Sequence, residues 1–238
     1  MCGAEHPETL STRKSLARVL DEKGAAVEAE AEYRDIRAIY SRVLSADHPL
    51  ALYVHGNLAF FLLAQGRYSE SEIEYRDALG RCLKVLGDDH PETLRMDHNL
   101  AMALGNQGKL PEAITRLHTV VERRERTLGA DHSETLVART NLGDALYQAK
   151  QPARSAEQLE RIAESMTRTH GADHDSVWDA RARRAQLLWE GGQPHEAQEE
   201  LEALLNDASG TRSGDDFRVV TAQRVLPFIR ADAEWHGV

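Results

Sequence analysis

The apolar positions of this chain return on a fixed cycle. Acidic-histidine pairs stand at Glu5-His6, Asp47-His48, Asp89-His90, Asp131-His132 and Asp173-His174, each 42 residues from the last. Four places after each histidine comes a large apolar residue: Leu10, Leu52, Leu94, Leu136 and Trp178. Leu16, Leu58, Leu100 and Leu142 stand ten places on, and small Ala17, Ala59, Ala101, Gly143 and Ala185 follow them. Leu20, Leu62, Leu104, Leu146 and Leu188 complete the set at fourteen. At about 100° per residue these positions form one stripe along a helix. Gly24, Gly66, Gly108 and Gly192 come next, suited to a left-handed helix end, with Lys150 in the fourth unit. A second helix then begins, with Pro111, Pro152 and Pro194 near its start, where the missing N–H is tolerated. Its apolar face carries Ala29, Ala113 and Ala197, then Tyr33, Tyr75, Leu117, Leu159 and Leu201, and Leu44, Leu86 and Leu128 close the first three units. The spacing predicts first helices over 7–23, 49–65, 91–107, 133–149 and 175–191, and second helices over 26–44, 68–86, 110–128, 152–170 and 194–208.

Five periods without an insertion describe an all-α array in which each hairpin buries its face against its neighbours. The division this implies is residues 1–208 for five hairpins and 209–238 for a loop and a terminal helix. Ser209, Gly210, Ser213 and Gly214 make the stretch from Asn206 to Asp216 read as a mobile loop. The segment FRVVTAQRVLPFIRADAEW is amphipathic and suits a helix that caps the stack, kinked or split by Pro227. Asp215-Asp216 falls one further period on, with the acid retained and the histidine gone. At the other end the chain opens in linker register, with Gly3 where Gly87 and Gly129 stand. That start points to excision from a longer protein, or to an uncapped first helix that a partner covers.

The stretch GDDHPETLRMDHNLAMALGNQGKLPEAITRLHTVVERRERTLG, with Ala101, Gly108 and Ala113 at close-packing positions, resembles the kinesin-light-chain type of tetratricopeptide repeat. The resemblance covers about residues 4–208 and weakens in the fifth unit, where Arg183-Arg184 replaces the usual Asn-Leu. It implies a right-handed superhelical solenoid whose first helices line a concave groove. It also implies a protein- or peptide-binding scaffold of a kind common in bacterial regulators. The alternative is a self-association module, pairing through the groove or the uncapped first helix.

Composition narrows the field further. Hydrophobic residues are 41% of the chain and aromatics only 5%, so Leu and Ala do most of the packing. Charged residues reach 29% and the formal net charge is -10, which argues against unspecific nucleic-acid binding. The basic run Arg123-Arg124-Glu125-Arg126 is broken by acid and reads as an outer face. Cys2 and Cys82 are too few for a disulfide framework or a zinc site, and Cys82 is expected to be buried. No membrane span or signal peptide is apparent, so the expected setting is a reducing cytoplasm.

The sequence points to no enzyme and to no cofactor. It lacks a phosphate loop, a Gly-x-Ser-x-Gly elbow and a Cys-x-x-Cys pair. Carboxylate clusters such as Glu28-Glu30-Glu32 and Glu199-Glu200-Glu202 read as solvated faces. The repeated histidines stand at least one helix-packing distance apart, about 8–10 Å, too far for one ion to collect them. Asp-His-Pro-Glu instead suits a helix start, with acid at the positive dipole end.

A more specific signal lies nine places after each histidine: Ser15, Asn57, Asn99, Asn141 and Arg183. Asparagine is a mediocre helix former, so three in register need a reason. The resemblance implies that Asn57, Asn99 and Asn141 hold the backbone of a bound peptide; a hydrogen bond between helices is the structural alternative. By the same alignment the groove gains Tyr53, Phe60, Leu63, Arg95, His98, Met102, Tyr147, Asp179, Arg183 and Trp189. Lys14, Arg18, Arg95 and Arg183 on this face suit a partner with apolar and acidic residues.

Overall fold

The structure, a computed structural model, describes residues 6–208 and 212–236. Cys2, Gly3, Glu5, Ser209 and Gly210 lie outside the described residues. Two compact units divide the chain, Met1–Arg116 and Leu117–Val238. Among the described residues there are eleven helices and no strand. The first helices of the repeats are α1 (Pro7–Glu22), α3 (Pro49–Ala64), α5 (Pro91–Asn106), α7 (Ser133–Gln148) and α9 (Asp175–Glu190). The second helices are α2 (Ala26–Leu44), α4 (Tyr68–Val85), α6 (Leu110–Leu128), α8 (Pro152–His170) and α10 (Pro194–Ala208). Each lies within a residue of the span expected from the spacing. α11 (Phe217–His236) follows.

The histidines are the N-caps. In His6, His48, His90, His132 and His174, Nδ1 accepts the backbone N–H two residues on, at 3.3, 3.2, 3.1, 3.2 and 3.2 Å. This satisfies one of the donors that a helix start leaves unpaired. It also explains why the histidine recurs without a shared ligand. Asp216 performs the same task for α11, its Oδ1 accepting the Arg218 N–H at 2.8 Å. α11 therefore starts 42 residues after α9 and is the first helix of a sixth period.

At the other end of each first helix the chain reverses through a left-handed residue. Gly24, Gly66, Gly108 and Gly192 take φ of +78°, +73°, +77° and +77°, and Lys150 takes +59° in the same slot. The next residue's N–H then closes back on the repeated leucine carbonyl, as in Arg67 to Leu62 at 2.9 Å and Lys109 to Leu104 at 3.0 Å. The linker between hairpins has its own left-handed residue. Gly87, Gly129 and Gly171 supply it, and Ser45 adopts φ +79° in the first linker.

In the unit Met1–Arg116, α1 packs on α2, α2 on α3, α3 on α4 and α4 on α5. Small residues set the crossing within a hairpin. Ala17 faces Ala29's helix, and where Ser71 replaces that alanine its hydroxyl donates to the Ala59 carbonyl at 2.8 Å. The leucines at ten show what the stripe is for. Leu58 is buried among Ala17, Ala29 and Tyr33 of the preceding hairpin. Leu16, expected in the same stripe, is 48% exposed, because no hairpin precedes α1 among the described residues. Cys82 is buried, and that burial pushes its thiol up to about 11, far from a nucleophile's range.

The unit Leu117–Val238 repeats the scheme, with α7 on α8, α8 on α9, α9 on α10 and α10 on α11. Ser155 donates to the Gly143 carbonyl at 2.8 Å, copying Ser71. α11 buries Val219, Ala222, Leu226 and Ile229 against α9 and α10. Pro227 does not split it: the helix runs unbroken through Pro227, which lies on its exposed side. Gln223, Arg224, Arg230 and Glu234 are exposed as well, beside the exposed Phe217, Phe228 and Trp235. The loop before α11 is pinned at Arg212, which bonds Asp173, Asp175 and Asp216 and lies over the Trp178 ring.

Two readings of charge need correction. Arg124 is not on an outer face: it is buried, and its guanidinium donates to the Glu134 carbonyl at 2.9 Å. Burial lowers its pKa, and Glu134 works against that. The acidic clusters are solvated only at Glu28 and Glu199. Glu30 pairs with Arg34 and Arg67, Glu32 with Arg13, Glu200 with Arg181 and Arg184, and Glu202 with Arg230. Arg184 stands in the leucine slot at ten and reaches both Glu160 and Glu200.

Candidate functional site

In the first unit the groove positions of α1, α3 and α5 come together around one tyrosine. The Tyr53 ring is 40% exposed, with Lys14 Nζ 4.9 Å and Arg95 Cζ 5.3 Å from its centroid. A cation over an aromatic face is attracted by the ring quadrupole. Arg95 is also fixed from below by Glu92, through bonds of 2.9 and 2.5 Å. Gly56 makes the arrangement fit. A Cβ there would meet Met96 Cε at 2.1 Å and Arg95 Nη2 at 2.7 Å, so the bare backbone of α3 lets these α5 side chains approach. Sequence reasoning passed over Gly56, since neither its neighbours in register nor a turn singles it out.

Two turns along from Tyr53, Phe60 is 53% exposed, with Leu63 and Met102 half-buried nearby in register. Beside Tyr53 a cleft of about 240 Å³ is walled by Leu10, Tyr40, Leu50 and Val54. The surface is therefore apolar at its centre, with Lys14 at its edge and the guanidinium of Arg95 already paired to Glu92. His98 does not belong to it: the side chain is buried, which removes it from any ligand.

The asparagines are not equivalent. Asn57 is half-buried, and no hydrogen bond engages its amide among the described residues. Asn99 lies beside the Tyr75 hydroxyl, which is fully buried without a hydrogen bond of good geometry. Burial drives that phenol well above its ordinary pKa, and Asn99 opposes the shift. Asn99 thus has a structural neighbour, whereas Asn57 offers donor and acceptor outward.

In the second unit Asn141 is already engaged. Tyr147 is 40% exposed and carries the Arg183 guanidinium 5.0 Å from its ring centroid. Asp179 is bound to Arg218 at 2.8 Å. Trp189 is half-buried, and its Nε1 donates to Asp232 of α11 at 2.9 Å. α11 has partly covered Trp189.

Among the described residues no three His, Cys, Asp or Glu side chains are grouped to hold a metal. No described helix is long and apolar enough to cross a membrane.

Two sequence profiles, both of the tetratricopeptide repeat, match residues 9–50 and 56–92 and residues 92–167. No curated protein sequence matches the chain. Among solved structures, the nearly identical TPR-like repeats assigned to a Podosopora anserina kinesin light chain share 29% identity with it. That match has a TM-score of 0.73 and covers 87% of this chain and 99% of the other. BtubC (BKLC) from P. vanneervenii has 18% identity and a TM-score of 0.71, over 87% of this chain and 83% of its own. The apo form of RapI, at 12% identity and a TM-score of 0.66, covers 93% of this chain and 59% of its own. The last two show likeness of fold alone.

Proposed function

Because the chain belongs to the tetratricopeptide repeat family, whose members generally serve as protein-interaction scaffolds, we propose that it holds a partner polypeptide against the α1–α3–α5 face. The observation that carries this reading is Tyr53, exposed between Lys14 and Arg95 with Phe60 bare two turns on. Large apolar side chains grouped with a cleft on one face are the kind of patch that marks a contact surface. Lys14, which no carboxylate pairs among the described residues, and the apolar surface beside it select a segment that carries apolar residues and an acidic one. Asn57 holds its backbone, since an amide both donates and accepts. Tyr147 serves the same end in the second unit. A reducing cytoplasm suits the buried free thiol of Cys82.

The test is selection of a random peptide library on the whole chain, with affinities of selected peptides measured by calorimetry. Tyr53→Ala is expected to weaken them at least about ten-fold, and Asn57→Ala by about 0.5–1.5 kcal/mol. Peptides that bind Tyr53→Ala, Phe60→Ala and Asn57→Ala as tightly as the parent would show that this face is not the site. Self-association is the second reading. It is favoured by α11, where Phe217, Phe228 and Trp235 are all well exposed on one side. A ligand-free dimer in sedimentation that Phe228→Ser abolishes would establish it.

A further inference from the structure

A second site is built entirely from residues 178–229 and shares none with the α1–α3–α5 face. α9, α10 and α11 enclose a cleft of about 520 Å³, walled by Trp178, Ala182, Trp189, Leu201, Val225 and Ile229. That size lies within the range of small-molecule pockets, which are mostly apolar with a few placed polar groups. The cleft exists because α11 is a first helix placed by the repeat register: it buries Val225 and Ile229 toward α9 while Phe217 stands at the rim.

The polar groups around the cleft are nearly all spent on each other. Asp179 is neutralised by Arg218 at 2.8 Å, and Trp189 Nε1 is bonded to Asp232 at 2.9 Å. The Thr221 hydroxyl donates to the Phe217 carbonyl at 2.6 Å, and Gln186 donates to Glu190 at 2.7 Å. Arg183 is the exception among the charged groups. Its neighbours Arg181 and Arg184 are tied to Glu200, but the Arg183 guanidinium has only the Tyr147 ring and no carboxylate among the described residues. It is half-buried and lines the cleft. A planar guanidinium held at the edge of an apolar cavity is matched by a carboxylate, which it binds with two parallel bonds.

We propose that this cleft binds a small amphipathic carboxylate, with an aromatic or aliphatic body between Trp178, Trp189 and Val225 and its anionic group on Arg183. A free acid suits the site better than a peptide. Each peptide unit brings an N–H and a C=O that need partners when buried, and most of the polar groups at the rim are already bonded to one another.

The full-length chain in a Trp235→Phe background isolates the two cleft tryptophans for fluorescence, and calorimetry gives stoichiometry. The probe is 1-naphthaleneacetate, with 2-(1-naphthyl)ethanol as its uncharged counterpart. One saturable site per chain is expected for the acid. Arg183→Gln should weaken the acid about ten-fold or more and leave the alcohol nearly unchanged. Thr221→Trp, which fills the mouth from an exposed position, should weaken both, with unchanged circular dichroism confirming the fold. The proposal fails if the acid shows no saturable binding up to millimolar concentration. It also fails if Arg183→Gln affects acid and alcohol alike, or if folded Thr221→Trp binds as before. A capped peptide with the same naphthyl group beside a glutamate should bind more weakly than the free acid. Tighter binding would overturn the small-molecule assignment.

Discussion

Lys150 holds a left-handed conformation in a slot where the other four hairpins have glycine, and that difference has a measurable size. An L-residue in this region costs about 1–2 kcal/mol relative to its ordinary conformations. Glycine avoids that cost but loses about 0.5–1 kcal/mol more conformational entropy on folding. Lys150→Gly should therefore stabilise the chain by about 0.5–1 kcal/mol. The reverse change supplies the control. A Cβ added at Gly108 meets nothing within 4 Å, so Gly108→Ala changes backbone strain and no contact. It should destabilise by about 1 kcal/mol. Urea unfolding followed by circular dichroism reads both values, and the midpoint on heating should move by about 2–4 °C per kcal/mol. Because hairpins contribute as units and interfaces, amide exchange should show the changes concentrated in α7–α8 for the first variant and α5–α6 for the second. If Gly108→Ala is neutral, φ is not what the glycine is there for. Should Lys150→Gly destabilise while Gly108→Ala behaves as expected, the lysine side chain must make up for its backbone, and the strain argument fails at that position.

Two other perturbations follow from the caps and the ion pairs. His90→Ala removes the Nδ1 acceptor of the Glu92 N–H and should cost about 0.5–2 kcal/mol, while His90→Asp should retain the cap as Asp216 does; equal stability of all three in urea would mean the cap contributes nothing. Burial opposes the charge of Glu72, but hydrogen bonds from Lys109, Gln107 and Arg76 outweigh it and hold the carboxyl at about 2, against an ordinary 4.5. A carboxyl depressed by folding stabilises fully above its ordinary pKa and loses that contribution as pH falls toward its folded one. The stability difference between the parent and Glu72→Gln should thus shrink between about pH 4.5 and pH 2, and a difference constant across that window would refute the pairing.

The helix limits were legible because the residues that set them recur. The leucine at fourteen accepts the reversing hydrogen bond, the glycine at eighteen takes positive φ, and the histidine starts the next helix, so period alone places all three. The second polar layer was not legible, for the opposite reason. Inside every hairpin a residue seven places after the histidine meets one nineteen further on: Arg13 with Glu32, His55 with Glu74, Asp97 with Arg116, Arg139 with Gln158, and Arg181 with Glu200. In the third hairpin the charges are exchanged. A scan for identity at fixed spacing finds arginine at the first position in only three hairpins and glutamate at the second in only three, because what persists across all five is the complementarity of the pair.

The candidate site follows the same logic one step further. Asn57, Asn99 and Asn141 recur and drew the functional reading, yet Asn99 lies against a buried tyrosine of the preceding hairpin and Asn141 is already engaged. Residues that recur in a stacked array answer first to the contact that recurs, which is the one between neighbouring hairpins. The features that distinguish this face occur once each: Gly56 opening a passage for Arg95, Tyr53 between two cations, Phe60 bare two turns on. His98 shows the hazard of register alone, since it shares Gly56's position in the period and is buried. Selectivity toward a partner must reside in such departures from the repeat, because a surface identical in every hairpin binds the same group at every step and distinguishes no sequence.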